Sequence, residues 1–310
     1  MKTMKSFPVI ILLVIAPLLW AGNLVVGRVM QDVIPPFSLS FFRWVLVVLI
    51  LLPFNYSGLI SKWPEIKSNI GKITLLSIFS TGIFTSFTYL GLHATTVLSA
   101  SLINATVPVL IVFLSFIILN DSMSFSKIFA VILSVLGVAF IITEGDLSAI
   151  TRIDFKFGDF FILIAALSWS MFSVFSKKMD LKFPPFLFLL ITSIIGAIIL
   201  IPLVLIEYLL GYEIQYNWVS FSGILYASLL SSIVAFTFWN IGVREVGPGI
   251  AGYFFNLVPV FGSIIAILFL GEKIDLYHLY GCLFVFLGIF FATLKQIKRQ
   301  VKSSAFEVKN

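Results

Sequence analysis

The sequence is poor in the residues on which soluble enzymes and metal proteins depend. Charged residues make up 11% of it, and it holds one cysteine and two histidines. The single Cys282 excludes an intramolecular disulfide and, because it lies in an apolar run, is expected to be a small core residue. His93 and His278 stand apart near predicted helix ends, so we expect no metal site.

The motifs of nucleotide-driven and hydrolytic enzymes are also absent. The chain contains no G-x-x-x-x-G-K-[ST], no H-E-x-x-H and no G-x-S-x-G, so we expect neither an enzyme nor a cofactor. All fourteen Asp and Glu residues fall in loops or at predicted helix ends. No carboxylate is therefore expected at a membrane midplane, where a proton relay would be placed. Uncoupled diffusion, exchange, and coupling through His93 or Glu207 all stay open.

Apolar residues are what the chain has in excess. They make up 60% of the sequence, and its mean hydropathy is +1.13. A soluble domain of this length does not need so much apolar surface, whereas a bundle of membrane helices does. The net charge of +6 could suggest nucleic acid, but Lys and Arg cluster at segment ends, which is typical of membrane topology. We predict an all-α membrane protein whose partner is the lipid bilayer rather than nucleic acid.

Ten segments approach the length of about 20 apolar residues that a spanning helix needs. They are residues 7–29, 38–54, 72–92, 96–119, 125–143, 157–177, 184–206, 218–240, 248–270 and 276–295. The first segment begins like a signal peptide. Its apolar run continues to Val29, however, and contains a tryptophan that recurs later in the chain, so we expect it to remain as a helix.

The chain is a tandem duplication. Residues 16–53 recur at an offset of 149, which pairs Trp20 with Trp169 and Pro35-Pro36-Phe37 with Pro184-Pro185-Phe186. Beyond residue 90 the offset is 151, and Pro108 then pairs with Pro259. Each repeat carries five predicted helices. Because five is odd, the second repeat must start from the opposite face of the membrane.

We therefore predict two inverted five-helix repeats in one integrated transmembrane domain. The first covers residues 1–146 and the second residues 147–310, with a basic tail at 296–310 that either lies along the anionic membrane surface or is solvated. If the N-terminus is cytoplasmic, fifteen Lys and Arg residues lie on the inner side and four on the outer side. This imbalance predicts that both termini are cytoplasmic.

Two prolines near the middle of predicted helices each follow an asparagine closely. Asn104 precedes Pro108, and Asn256 precedes Pro259. A proline cannot pair with the carbonyl four residues earlier, and a free carbonyl in hydrocarbon must face protein, water or a ligand. The two sites therefore predict either a polar ring around a central cavity or a pair of packing kinks.

Arg43 lies about six residues inside the second helix, at the depth of Asn23 in the first. An arginine at this depth usually faces a cavity or a partner, and it could hold a carboxylate or phosphate. The alternative is that Arg43 extends outward to cap carbonyls or to pair with Asp32.

Other polar and aromatic side chains fall inside the predicted spans. Aromatic walls suit organic cations or rings, although packing explains a buried Trp equally well, and hydroxyls in membrane helices more often pack than bind. The further candidate substrate-binding residues are Trp20, Tyr89, Trp169, Ser173, Trp239 and Tyr253. Gly247-Pro248-Gly249 predicts a turn between the eighth and ninth helices, or a hinge that acts in gating together with Pro108 and Pro259.

These motifs, taken in their order along both halves, resemble the EamA-type carriers of the drug/metabolite transporter superfamily. The resemblance rests on Leu19-Trp20-Ala21-Gly22-Asn23, Phe41-Phe42-Arg43-Trp44, Asn256-Leu257-Val258-Pro259-Val260 and Leu270-Gly271-Glu272-Lys273. The chain departs from the family where Asn120-Asp121 replaces Gly-Glu and where Phe172 replaces the asparagine of the first helix. The resemblance implies ten helices, alternating access, a bacterial inner membrane and a small metabolite, often an exported amino acid.

We predict a secondary transporter of a small polar or amphipathic metabolite, acting as a monomer or homodimer in the inner membrane. A channel also stays open, and saturable, counterflow-stimulated uptake would exclude it. Two classes that do not transport stay open as well. A non-transporting sensor or assembly subunit would bind without flux, and an intramembrane enzyme acting on lipid would need a buried catalytic pair that the sequence does not offer.

Overall fold

The computed structural model of the protein describes residues 6–95, 97–152, 156–270 and 275–307. Regular structure within these ranges is helical, and ten helices among the described residues are long and apolar enough to cross a membrane. The predicted all-α membrane fold is confirmed. Of the sequence features named above, Gly271-Glu272-Lys273 lies outside the described residues.

The membrane-spanning parts of these helices are named α1 to α10 in chain order. They are Pro8–Met30, Pro36–Ser61, Ile70–Ala94, Ser99–Leu119, Phe125–Ile142, Phe157–Met179, Pro185–Leu209, Trp218–Val246, Pro248–Ile265 and Leu276–Thr293. The helix that contains α10 continues to Glu307. A short helix, Trp63–Ser68, and a 3-10 turn, Leu147–Arg152, lie in connections.

Two helices run further than their apolar segments predict. α2 continues past Pro53 to Ser61, because a proline inside a membrane helix removes one hydrogen bond that neighbouring groups can replace. α8 continues past Asn240 to Val246. Its polar end stays inside the bundle because Asn240 and Arg244 both donate side-chain hydrogen bonds to backbone carbonyls.

The two repeats pack against each other in matched pairs. α2 packs on α7, α4 on α9 and α5 on α10, and each of these pairs joins equivalent helices of the two repeats. The contact of α1 with α8 is matched by that of α6 with α3. This pairing is the one that an approximate two-fold axis in the membrane plane produces, so it agrees with the inverted 5+5 layout.

The ends of α1 and α6 identify the two faces of the bundle. α1 ends near Arg28 and its counterpart α6 ends near Lys177, on opposite faces because the repeats are inverted. We call these the Arg28 end and the Lys177 end. α1 begins at the Lys177 end, and α10 returns to it.

Equivalent helices are interrupted at equivalent places. α4 lies within two successive helices, Val97–Asn104 and Val107–Leu119, and α9 lies within Pro248–Phe255 and Leu257–Leu270. α3 and α8 stay continuous, but each contains a π-helical stretch, Ile78–Phe84 in α3 and Ala227–Val234 in α8. Such stretches are rare and frequently lie at functional sites.

Small residues let α5 and α10 approach closely. A Cβ added at Gly137 would lie 2.6 Å from the carbonyl oxygen of Gly281 and 2.8 Å from the backbone nitrogen of Val285. One added at Gly288, the counterpart of Gly137, would lie 2.8 Å from the carbonyl oxygen of Ala130. Backbone is in contact with backbone at this seam, a common way for membrane helices to associate.

We predict that Gly137→Val destabilises the protein by about 1–3 kcal/mol, because the added side chain must push the α10 backbone away. The melting temperature in detergent measures this. Gly71→Ala is the matched control, since a Cβ there meets nothing within 4 Å and alanine favours a helix over glycine. An unchanged melting temperature for Gly137→Val would contradict the close packing of α5 on α10.

Candidate functional site

A cavity lies between the two repeats, in the half of the bundle nearer the Arg28 end. Five of the residues predicted to bind substrate line it, namely Trp20, Asn23, Arg43, Tyr89 and Asn104. Its volume is about 40 Å³, which is room for one or two water molecules but not for a metabolite. The cavity must therefore widen before it can hold a larger molecule.

Arg43 forms the polar wall of this cavity although its side chain is 3% exposed. Its Nε donates to the Ser232 hydroxyl at 2.6 Å, its Nη1 to the Tyr89 hydroxyl at 3.0 Å and its Nη2 to the Ser231 hydroxyl at 3.1 Å. The alternative in which Arg43 pairs with Asp32 is wrong, because the guanidinium lies inside the bundle against α8.

Tyr89 connects Arg43 with Asn23. Its hydroxyl accepts from Arg43 and donates to Oδ1 of Asn23 at 3.2 Å. The similar depth of Asn23 and Arg43 in their helices thus places them in one hydrogen-bonded network, but Tyr89 of α3 stands between them. The hydrogen bonds also fix the direction in which the tyrosine hydroxyl points.

The positive charge of Arg43 has no negative partner nearby. No Asp or Glu of the described residues lies within ion-pair distance of it, and its three hydrogen-bond partners are neutral hydroxyls. Burial of an unpaired charge costs several kcal/mol. Membrane proteins usually keep such a residue for a functional reason, and an anionic ligand would supply the missing charge.

The π-helical stretch of α8 supplies both serines that bind Arg43. Ser231 and Ser232 are consecutive, and Ser232 donates in turn to the carbonyl oxygen of Ala227, five residues earlier. The wider π turn is what lets two neighbouring hydroxyls reach one guanidinium. Ser231 was not predicted as a site residue, since the sequence carries no signal for a π turn.

Trp20 separates the cavity from a packed aromatic cluster. Its Nε1 donates to the carbonyl oxygen of Ser231 at 3.1 Å, and its ring centroid lies 5.1 Å from that of Trp169, 5.4 Å from Trp239 and 5.7 Å from Phe255. Trp169 and Trp239 are fully buried. Of the three tryptophans, only Trp20 is among the lining residues of the cavity.

The other predicted site residues do not line this cavity. Ser173 accepts a hydrogen bond from Nε1 of Trp239 at 3.3 Å within the aromatic cluster. Asn256 lies at the break of α9 and donates to the Ser134 hydroxyl at 3.0 Å. Tyr253 donates to the Lys127 carbonyl oxygen at 2.9 Å and packs among Val112 and its neighbours. Their role in substrate binding stays a prediction.

The predicted helix breaks appear at both prolines. Each interruption, at residues 105–106 in α4 and at Asn256 in α9, precedes its proline, Pro108 or Pro259, by two or three residues. Gly247 ends α8 with a φ of +87°, a conformation that favours glycine. Gly249 lies in the first turn of α9 instead, so the chain direction changes at Gly247. Whether these positions take part in gating stays a prediction.

The two ends of the bundle differ in how open they are. At the Arg28 end, an open cavity of about 490 Å³ is lined by Arg28, Asp32, His93 and Lys156, among others. It lies about one to two helical turns beyond Asn23 and Tyr89 along α1 and α3. At the Lys177 end, the corresponding cavity measures about 20 Å³.

A buried carboxylate joins the repeats at the Arg28 end. Glu207 at the end of α7 accepts from the backbone N–H groups of Phe37 and Ser38, both at 2.8 Å, and from the Ser38 hydroxyl at 2.7 Å. It thereby caps the first turn of α2, where the helix dipole favours a negative charge. This contact fixes α2, and Arg43 with it, to the second repeat.

Comparison with known proteins agrees with this architecture. The sequence pattern of the EamA-like transporter family matches residues 7–143 and 156–294, one match for each repeat. The chain is 25% identical to an uncharacterized transporter of Archaeoglobus fulgidus, over 92% of this chain and 97% of the relative. It is 26% identical to the uncharacterized transporter YyaM of Bacillus subtilis, over 80% of each.

The fold is also found in a solved structure. A crystal structure superposes with a TM-score of 0.72 over 93% of this chain and 98% of the other, at 16% identity. The chain belongs to the EamA-like transporter family, and it is a multi-pass membrane transporter. The resemblance recognised in the sequence is confirmed.

We predict that Arg43→Met does not lower the melting temperature of the ligand-free protein. Methionine fills a similar volume without an unpaired buried charge, and such replacements are often neutral or stabilising. Thermal unfolding in detergent without added ligand measures this. A loss of about 3–5 kcal/mol would mean that the arginine mainly holds the fold together.

Proposed function

We propose that this protein is a secondary carrier for small amphipathic metabolites that bear a carboxylate, such as amino acids. The observation that carries the proposal is the buried Arg43, which lines a cavity between two inverted repeats and has no anionic partner among the described residues. A substrate carboxylate would neutralise it. The sequence prediction of a small polar or amphipathic substrate is thereby narrowed to a substrate with an anionic group.

The guanidinium can accept such a ligand without losing its present contacts. Arginine has five N–H donors, and the hydrogen bonds to Ser231, Ser232 and Tyr89 use three of them. One donor on each terminal nitrogen stays unused, and a pair of guanidinium donors can bind the two oxygens of a carboxylate. The neutral hydroxyls hold the guanidinium in place, and the substrate carboxylate would neutralise its charge.

The remaining lining suits the other parts of an amino acid. Asn23 and Asn104 offer amide oxygens that can accept hydrogen bonds from an ammonium group. The Trp20 ring adds an aromatic face for an ammonium or an apolar side chain. A zwitterion with an apolar side chain therefore meets complementary groups on three sides of the cavity.

The inverted repeats support alternating access. In such a mechanism, the open cavity at the Arg28 end and the small one at the Lys177 end would belong to one of two related conformations. Exchange of conformation between the repeats would close the first and open the second around the same central site. The side chains of the aromatic cluster, between the central cavity and the Lys177 end, would then have to move apart.

We assign the Lys177 end to the cytoplasm and the protein to the inner membrane. Lys and Arg are more frequent at the Lys177 end, which agrees with cytoplasmic termini. The direction proposed for the physiological flux is export, as the family resemblance implies.

We predict that proteoliposomes containing the protein exchange labelled leucine against unlabelled leucine but not against isoamylamine, its analogue without the carboxylate. Arg43→Gln should lower kcat/KM by about 10- to 100-fold, the effect of losing a charge-assisted hydrogen bond of about 1.5–3 kcal/mol. Arg43→Lys should lie between this variant and the wild type, because it keeps the charge and loses the fork.

Arg152→Gln is the matched control, since Arg152 lies in an exposed loop at the Arg28 end and should transport like the wild type. Equal competition by isoamylamine, or normal transport by Arg43→Gln, would refute the carboxylate assignment. If some amino acids raise the melting temperature of the protein but none is exchanged in proteoliposomes, the result would support the sensor alternative instead.

A further inference from the structure

The Lys177 end repeats the chemistry of the Arg28 end. At the repeat offset of 149, Lys177 is the counterpart of Arg28. Arg28 Nη1 donates to the carbonyl oxygen of Leu92, near the end of α3, at 3.3 Å. Lys177 Nζ donates to the carbonyl oxygen of Arg244, near the end of α8, at 2.6 Å. In both repeats a cation at the end of the first helix thus holds the end of the third.

The small cavity at the Lys177 end has three polar residues in its wall. Ser176, Asn240 and Arg244 line it together with apolar residues such as Leu181 and Phe188. Its volume of about 20 Å³ accommodates one water molecule at most. These polar residues are the ones that would face a wider opening if the repeats exchanged conformation.

Asn240 carries an unused acceptor in this wall. The residue is 5% exposed. Its Nδ2 donates to the Phe236 carbonyl oxygen at 2.9 Å, while its Oδ1 has no hydrogen-bond partner among the described residues. An unsatisfied buried acceptor costs about 1–3 kcal/mol. At the offset of 151, Asn240 is the counterpart of Tyr89, which contacts Arg43 in the central cavity.

Arg244 carries unused donors in the same wall. Its Nη1 donates to the Phe183 carbonyl oxygen at 3.0 Å, and no carboxylate of the described residues is within ion-pair distance of it. The nearby Asp180 is bonded to Lys182. This bond holds the pKa of the Asp180 carboxyl below its usual range, so Asp180 stays charged and paired at neutral pH.

Asn240 and Arg244 are close enough along α8 for one ligand to contact both. Asn240 and Arg244 are four residues apart on one face of α8, about 6 Å along the axis. The ammonium of an α-amino acid can donate to Asn240 Oδ1 while its carboxylate accepts from Arg244. We propose that Asn240 and Arg244 form a second binding site for α-amino acids, beside Ser176 in the cavity wall, that is reached from the cytoplasm when the Lys177 end opens.

This inference rests on the proposed function for its choice of ligand, and it adds a site distinct from the Arg43 cavity. The second site would take up substrate from the cytoplasm and pass it toward the aromatic cluster. The site begins next to Trp239 at Asn240 and extends to Arg244, which lies five residues, more than one helical turn, further toward the Lys177 end, and this agrees with that route.

The test uses cysteine labelling, since the chain holds only Cys282. In a Cys282→Ala background, Ser176→Cys is treated with an impermeant maleimide in inside-out vesicles, with and without a mixture of the protein amino acids. The expected result is labelling that the amino acids slow several-fold. Adding Arg244→Gln should raise the amino acid concentration needed for protection about tenfold or more, since a hydrogen bond to a charge is worth about 1.5–3 kcal/mol.

Lys178→Cys is the matched control, because Lys178 lies on the same helix and is not part of the cavity wall; it should be labelled at one rate with or without amino acids. Leu181→Cys, in the same cavity wall, replaces Ser176→Cys if that variant does not fold. Three results would each refute the second site. They are a cavity cysteine that is not labelled although the control is, a cavity cysteine that is labelled without protection by amino acids, and protection that Arg244→Gln leaves unchanged.

The outcome separates this site from the proposed function. Protection of the Ser176→Cys thiol, in a protein whose wild type moves no amino acid, would keep the second site and refute the carrier proposal. Normal exchange in proteoliposomes without protection would keep the carrier proposal and refute the site.

Discussion

The structure depends on how one buried positive charge is held. Arg43 is fixed by three neutral hydroxyls from α3 and α8, and by no carboxylate of the described residues. A carboxylate partner would stabilise the buried charge, but it would also neutralise the guanidinium and remove its attraction for an anionic ligand. Hydroxyls position the guanidinium but do not neutralise it, so the cavity retains a positive potential that a ligand can satisfy. Under the proposed function, the anionic group of the substrate would supply the missing negative charge.

The surrounding fold explains how such a site is built from a duplicated chain. Equivalent positions of the repeats carry the same irregular elements, broken α4 and α9 and π turns in α3 and α8. The side chains at these positions differ. Arg43 has Thr192 as its counterpart, and Thr192 donates only to carbonyl oxygens of its own helix. The backbone irregularities thus recur in both repeats, whereas the charge of the central site comes from Arg43 of the first repeat alone.

Much of this architecture could be predicted from sequence, because its signals are local or repeat in register. Apolar runs predict the helices, and Trp20 with Trp169 predicts the duplication. The depth of Arg43 allows two alternatives, a side chain that faces a cavity or one that extends outward, and does not choose between them. The contact of Ser231 with Arg43 could not be predicted, since it depends on a π turn. The sequence also does not show that Trp20 lines the cavity while Trp169 and Trp239 pack behind it, because all three tryptophans lie at similar depths inside their spans.

The proposed mechanism requires that substrate binding at Arg43 exchanges the conformations of the two ends. Distances between spin labels test it most directly, with one pair at residues 32 and 156 across the Arg28 end and another at residues 178 and 245 across the Lys177 end, in a Cys282→Ala background. We expect a saturating amino acid to shorten the first distance and lengthen the second, and Arg43→Met to abolish both changes. Two distances that stay fixed with bound amino acid, or that change in the same direction, would contradict it.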